Sequence, residues 1–148
     1  MTDSQYCAHV WLSRMWDADI EINQLILRRE KVLASMSGIG HYDAEFIPSM
    51  TGENGSESKN IEYSVLSEKI EKKESELSFE NVRTMEVISK VENSMLRGML
   101  TARYINRLTW TEVGNLYNYG KTQVYEKYRL EALDQAYQNI PEEERWIS

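Results

Sequence analysis

The residues whose types and spacing carry chemistry lie between positions 103 and 127. Thr109-Trp110-Thr111-Glu112 is an S/T-x-x-E pattern, in which the hydroxyl caps one orphan amide of a helix start and the carboxylate reaches back to another. The spacing predicts a helix from about Trp110. Asn118 tolerates a left-handed backbone and Gly120 suits an N-cap, so a sharp turn follows and a second helix begins at Lys121. Val113, Leu116, Val124, Leu130 and Leu133 give the two helices apolar stripes, which can be buried only if the helices cross over a shared core. The pattern is that of a helix-turn-helix. Its second helix would present Lys121, Thr122, Gln123, Tyr125, Glu126 and Lys127 to a partner. These types read base edges or contact phosphates, and Arg103 is a further phosphate candidate. Tyr104 and Trp110 fall among apolar residues and are expected in the core, not as base-stacking platforms.

Charge is distributed to match. The chain has a formal net charge of −7, which argues against a non-specific coat on nucleic acid and favours a localised contact. Residues 95–133 are the one basic island, with Arg97, Arg103, Arg107, Lys121, Lys127 and Arg129 against Glu112, Glu126 and Glu131. So small a surplus gives one copy low affinity for DNA, and a dimer or a second DNA-bound protein is the expected remedy.

Leu100-Thr101-Ala102-Arg103-Tyr104-Ile105, then Leu108 to Gly114, then Lys121 to Leu133 ending in Glu131-Ala132-Leu133, together resemble region 4 of bacterial sigma-70-type factors. The whole chain is similar in layout to small phage transcription regulators of Gram-positive bacteria, of the late-gene and autolysin-regulator type. The resemblance implies a promoter-binding module whose contacts begin after the turn, at Lys121, Thr122, Gln123, Tyr125 and Glu126, with double-stranded DNA as partner and RNA polymerase as a second contact. This chain departs from the sigma pattern at Gly120, where Ser or Thr is usual, and at Thr122, Gln123 and Tyr125, where Arg is favoured.

Two long helices must carry this module. Trp11, Met15, Ala18, Ile22, Leu25, Arg29, Val32 and Met36 alternate spacings of four and three, a heptad seam that has to find another helix. The spacing predicts one helix over 5–37, capped by Asp3 or Ser4 and ended by Gly38 and Gly40. Residues 38–60, rich in Gly and Ser with Pro48, read as a flexible linker. A second helix runs from about Ile61 to Asn93. The expected organisation is an N-terminal helix (1–37), the linker (38–60), a second long helix (61–94), the helix-turn-helix (95–140) and an acidic tail (141–148). The fold class is all-α, a long coiled-coil-like hairpin followed by the C-terminal module. Trp11, Met15, Ile22, Leu25 and Val32 are the expected dimerisation residues, because the stripe is too wide for one partner helix.

Other chemistries are poorly served. His9 and His41 lack Cys or carboxylate partners at ligand spacing, so neither a metal nor another cofactor is expected. Gly120-Lys121-Thr122 resembles the end of a phosphate-binding loop, but Gly114 stands at the wrong spacing and no strand precedes it. No nucleophile and base can be paired, so the chain is not expected to be an enzyme. Cys7 is the single cysteine, and no apolar run approaches the roughly 20 residues of a membrane span. These features predict a protein of a reducing cytoplasm without membrane contact, and the resemblance to phage regulators implies that the cytoplasm is that of the bacterial host cell. Two other function classes remain open: a DNA-packaging component of the small terminase-subunit kind, and a phage protein-binding module that inhibits host machinery.

Overall fold

The computed structural model describes residues 1–36 and 48–146, and contains helices and turns with no strand among the described residues. The chain is all-helical. Residues 37–47 of the expected linker, with His41, lie outside the described residues, as do positions 147 and 148 of the expected tail.

Helix α1 (Asp3–Leu12) starts at a capping box one residue earlier than the sequence suggests: the Thr2 hydroxyl accepts from the Gln5 N–H at 3.1 Å, and Gln5 Oε1 accepts from the Thr2 N–H at 2.8 Å. It ends where the heptad predicts continuation, and α2 (Trp16–Met36) begins after three intervening residues. The single helix expected over 1–37 is therefore two. Arg14 gives the reason: its guanidinium lies 3.7 Å over the Trp11 ring, donates to the Trp11 carbonyl at 2.8 Å, and pairs with Glu80 at 2.9 Å. Helix α3 (Pro48–Ser89) starts well before Ile61, so positions 48–60 of the expected linker are helical. Proline at a first helical position is favoured, since its missing N–H would find no partner there.

By its contacts the chain divides into two compact units, one of Met1–Met15 with Phe79–Ser148 and one of Trp16–Ser78. In the second, Ile22 and Val32 of α2 close on Leu66 and Ile70 of α3, with Leu25, Ile26, Met36, Tyr63 and Leu77 packed around them. Glu21 pairs with Lys73 and Arg28 with Glu62, each at 2.8 Å. The early residue of α2 meets the late residue of α3 and the reverse, so the paired segments run antiparallel. These exposed ion pairs set register more than they stabilise. Their partners shift each other as such pairs do: the Lys73 ammonium lowers the Glu21 pKa, and Arg28 lowers that of Glu62.

The other unit joins α1 to everything after Ser78. Helix α4 (Ser94–Leu100) is capped by Asn93, whose side-chain oxygen accepts from the Met95 and Leu96 N–H groups, and it passes into a wider π-helical turn over Thr101–Ile105. Helices α5 (Trp110–Tyr117), α6 (Lys121–Gln123) and α7 (Arg129–Tyr137) follow, with a second π-helical stretch over Val124–Tyr128 linking α6 to α7. Cys7, Leu96, Met99, Leu100, Val113, Val124 and Leu133 are buried to 1% exposure or less. Helix α1 packs along α7, where the buried Gln5 amide donates to Asp134 Oδ2 at 3.0 Å and so satisfies its polarity. The expected acidic tail also joins this unit. Ile140 is buried, Glu144 is held by Arg83 and by the Trp11 indole N–H, and Trp146 meets Tyr6 edge-on at 5.9 Å.

The expected dimerisation residues are placed differently from the sequence reading. Trp11 is buried in one unit, and Ile22 and Val32 are buried in the other against their own chain. Met15 and Leu25 are half-buried. Within that unit Leu66 and Ile70 of α3 cover the Ile22 and Val32 part of the seam.

Candidate nucleic-acid interface

Local signals fix the ends of α5. The Thr109 hydroxyl accepts from the Glu112 N–H at 3.2 Å, and Glu112 Oε1 accepts from the Thr109 N–H at 3.1 Å. At the other end Asn118 is left-handed, with φ 59° and ψ 35°, which lets the Tyr119 N–H return to the Gly114 carbonyl at 2.9 Å. Gly120 then stands at the N-cap of α6, its carbonyl accepting from the Val124 N–H at 3.1 Å.

The crossing is close because Gly114 has no side chain. A Cβ there would stand 2.9 Å from the Tyr119 carbonyl oxygen and 3.3 Å from Val124 Cγ2. Trp110, Val113 and Gly114 are buried, and Tyr117 lies with its hydroxyl against Gly98 of α4. The buried stripe of α5 thus follows the i, i+3, i+4, i+7 positions of a helix. Leu116 falls outside it and is 61% exposed, contrary to its expected place in the core. Val113, Val124 and Leu133 are buried as expected, and Leu130 is half-buried.

This crossing turns one face of α6 and the following π-helical stretch outward. Lys121, Thr122, Gln123, Tyr125, Glu126 and Lys127 are all exposed around the single buried Val124. Six of the seven sequence-predicted contact residues therefore share one continuous segment. The seventh, Arg103, is half-buried: its Nη1 donates to the Leu108 carbonyl at 2.9 Å, and its guanidinium lies 5.9 Å from the Trp110 ring centre. It braces the loop before α5, where Arg107 is left-handed at φ 66° and the Leu108 N–H returns to the Ala102 carbonyl.

The basic island is thinner at the surface than in the sequence. Arg97 donates to the Val91 and Glu92 carbonyls at 2.7 and 2.8 Å, and Arg103 serves Leu108, whereas Lys121 and Lys127 are exposed. Arg129 belongs to the basic island but is not among the expected contact residues. Its guanidinium lies 3.7 Å over the Tyr125 ring, and its Nε donates to the Tyr125 carbonyl at 2.8 Å. Arg–aromatic spacing of four on a helix is the signal that could have found it.

Beneath the segment, Tyr104 and Trp110 meet edge to face at 6.2 Å, and the Tyr104 hydroxyl lies 2.8 Å from His9 Nδ1. Burial pushes the Tyr104 phenol far above its ordinary range, against the opposing pull of Arg103 and Arg129. Burial, with the same two arginines, lowers the His9 pKa. Tyr119 and Tyr128 pair with ring centres 5.0 Å apart, and their mutual hydrogen bond raises the Tyr119 pKa. The exposed groups of this surface offer hydrogen-bond donors, acceptors and charge. Among the described residues no group of three or more His, Cys, Asp or Glu side chains is placed to hold a metal ion.

No family model, curated protein or solved structure matches this chain. Among the described residues no helix is long and apolar enough to cross a membrane.

Proposed function

We propose that the protein is a sequence-specific DNA-binding transcription regulator of phage type, in which α5, the Asn118 turn and α6 form a helix-turn-helix similar to region 4 of sigma-70-type factors. The observation that carries the reading is the close Gly114–Val124 crossing, which leaves Lys121, Thr122, Gln123, Tyr125, Glu126 and Lys127 exposed on the first turns of the second helix. A recognition helix meets the major groove with these positions. Gln123 can pair with adenine and Lys121 with guanine, while Lys127 is placed for phosphate.

The antiparallel pairing of α2 with α3 is the hairpin of this architecture, and it supplies contact to a second copy or to RNA polymerase. Two fully exposed lysines per module make few phosphate contacts, so a dimer on paired half-sites is part of the proposal. The bacterial cytoplasm is where such a regulator acts.

The test is selection of bound fragments from a genomic duplex library by the full chain at low salt, followed by sedimentation of the protein and of its complex. Enrichment of a common site and a two-copy complex are the expected results. A ring of eight or more copies would favour a packaging component, and absence of any duplex binding would favour a protein-docking module.

A further inference from the structure

The geometry points to Arg129, held on the face of Tyr125, as a backbone-phosphate contact of duplex DNA; this deepens the proposed DNA reading and rests on it. The sequence of causes begins in the helix. Over Val124–Tyr128 the backbone widens, and the Arg129 N–H reaches back five residues to the Val124 carbonyl. Where such a stretch returns to ordinary α-helix one carbonyl is left over, and π-helical insertions of this kind recur at functional positions. Arg129 Nε donates to the Tyr125 carbonyl at 2.8 Å. One edge of the guanidinium is thereby fixed to its own helix.

The face is fixed as well, by the Tyr125 ring 3.7 Å away. A guanidinium keeps five donors in one plane, so binding Nε and one face still leaves the outer Nη groups to a ligand. Among the described residues Nη1 meets the Met1 sulfur at 3.6 Å, a weak acceptor. An ionised phosphate oxygen is a far stronger acceptor, and Arg presents the fork that matches it. Because stacking and the Nε bond already restrict the side chain, little further rotamer freedom is lost on binding. Tyr125 is 44% exposed and belongs to the outward segment with Lys121 and Lys127. The pair therefore stands beside the residues proposed to enter the groove, where backbone contacts set the docking register. Arg129, itself half-buried, takes the phosphate role that Arg103, engaged with Leu108, was expected to play.

The experiment measures affinity of the full chain for its selected duplex over a salt series, with variants Arg129→Gln, Tyr125→Phe and Tyr125→Leu. Arg129→Gln should weaken cognate and scrambled duplexes alike by roughly tenfold, and should reduce the slope of log affinity against log salt by about 0.9. Tyr125→Phe keeps the ring and should keep the slope, whereas Tyr125→Leu should follow Arg129→Gln in part. Single methylphosphonate substitutions in the DNA supply a readout that a purely structural role would not move: one neutralised phosphate should weaken the wild type and leave Arg129→Gln indifferent. If the wild type binds and Lys127→Ala lowers the slope, but Arg129→Gln changes neither the slope nor the response to any methylphosphonate, the Arg129 assignment is overturned while the DNA reading stands. If the wild type binds no duplex, both are overturned.

Discussion

Gly114 and Val124 are in such close contact that a Cβ on the glycine would stand 3.3 Å from the valine Cγ2 and 2.9 Å from the Tyr119 carbonyl oxygen. Carbonyl oxygen is backbone and cannot swing aside. Gly114→Ala should therefore strain the turn by about 1–3 kcal/mol, offset by the 0.5–1 kcal/mol that alanine gains in a helix interior. Chemical denaturation should show a net loss of stability. At Gly98 the obstructing atom is the Tyr117 hydroxyl, the far end of a side chain that can move. Gly98→Ala should accordingly cost less than Gly114→Ala, and equal costs would contradict this ranking.

Asn118 holds a left-handed backbone at φ 59°. Asn118→Gly should leave stability nearly unchanged, because glycine adopts this region freely. Asn118→Val should cost about 1–2 kcal/mol, because a β-branched side chain is strongly disfavoured in this region and lacks the short polar group with which asparagine hydrogen-bonds locally. Thermal unfolding of the two variants gives the comparison, and a tolerated valine would show that the turn has another solution.

His9 carries a pH dependence whose sign follows from its surroundings. Burial, then Arg103 and Arg129, hold its pKa below the ordinary 6.5. The unfolded chain therefore binds a proton that the folded chain resists. The contribution of neutral His9 is fully present above pH 6.5 and is lost as pH falls from there through the folded pKa. Denaturation midpoints of the wild type should fall between pH 7.5 and pH 5 by more than those of His9→Gln. Parallel profiles would exclude His9 as the source.

Ile22 is 3% exposed and closes on Leu66 and Ile70 within one chain. An aspartate there would be an unpaired charge in an apolar core, among the changes that cost about 4 kcal/mol or more. Ile22→Asp should therefore reduce the helical circular dichroism of the protein, not merely separate two folded copies. A variant with undiminished helicity and altered sedimentation would restore Ile22 to an interface between chains.

Local chemistry made α5 and α6 readable from sequence. Thr109 and Glu112 form a capping box by spacing alone, and Asn118 and Gly120 occupy the two special positions of the turn as their backbone preferences require. What depended on distant partners was not readable. The heptad runs unbroken through Trp11 and Met15, and only Glu80 and Thr84, far along the chain, reveal why Arg14 interrupts the helix. Gly52 and Gly55 argued for a linker where α3 is already helical, and Pro48 was its overlooked start signal. Leu116 looked like core because it is apolar, yet Tyr117 takes the i+7 position after Trp110 and packs on Gly98. Arg103 and Arg129 are not told apart by sequence for the same reason: a carbonyl and a ring, neither marked in the pattern of charges, decide where each guanidinium points.

If the exposed first turns beyond Asn118 read base pairs, fluorescence anisotropy of the full chain on its selected duplex will separate residues that read from residues that position. Gln123→Ala should remove about 1–3 kcal/mol of discrimination at one base position and leave the salt slope unchanged. Lys127→Ala should weaken cognate and scrambled sites alike and lower the slope by about one. That split between a reading residue and a positioning residue is the predicted result. Equal weakening of both sites by Gln123→Ala would contradict the placement of this helix in the groove, and no binding to any duplex at low salt would contradict the DNA-reading account itself.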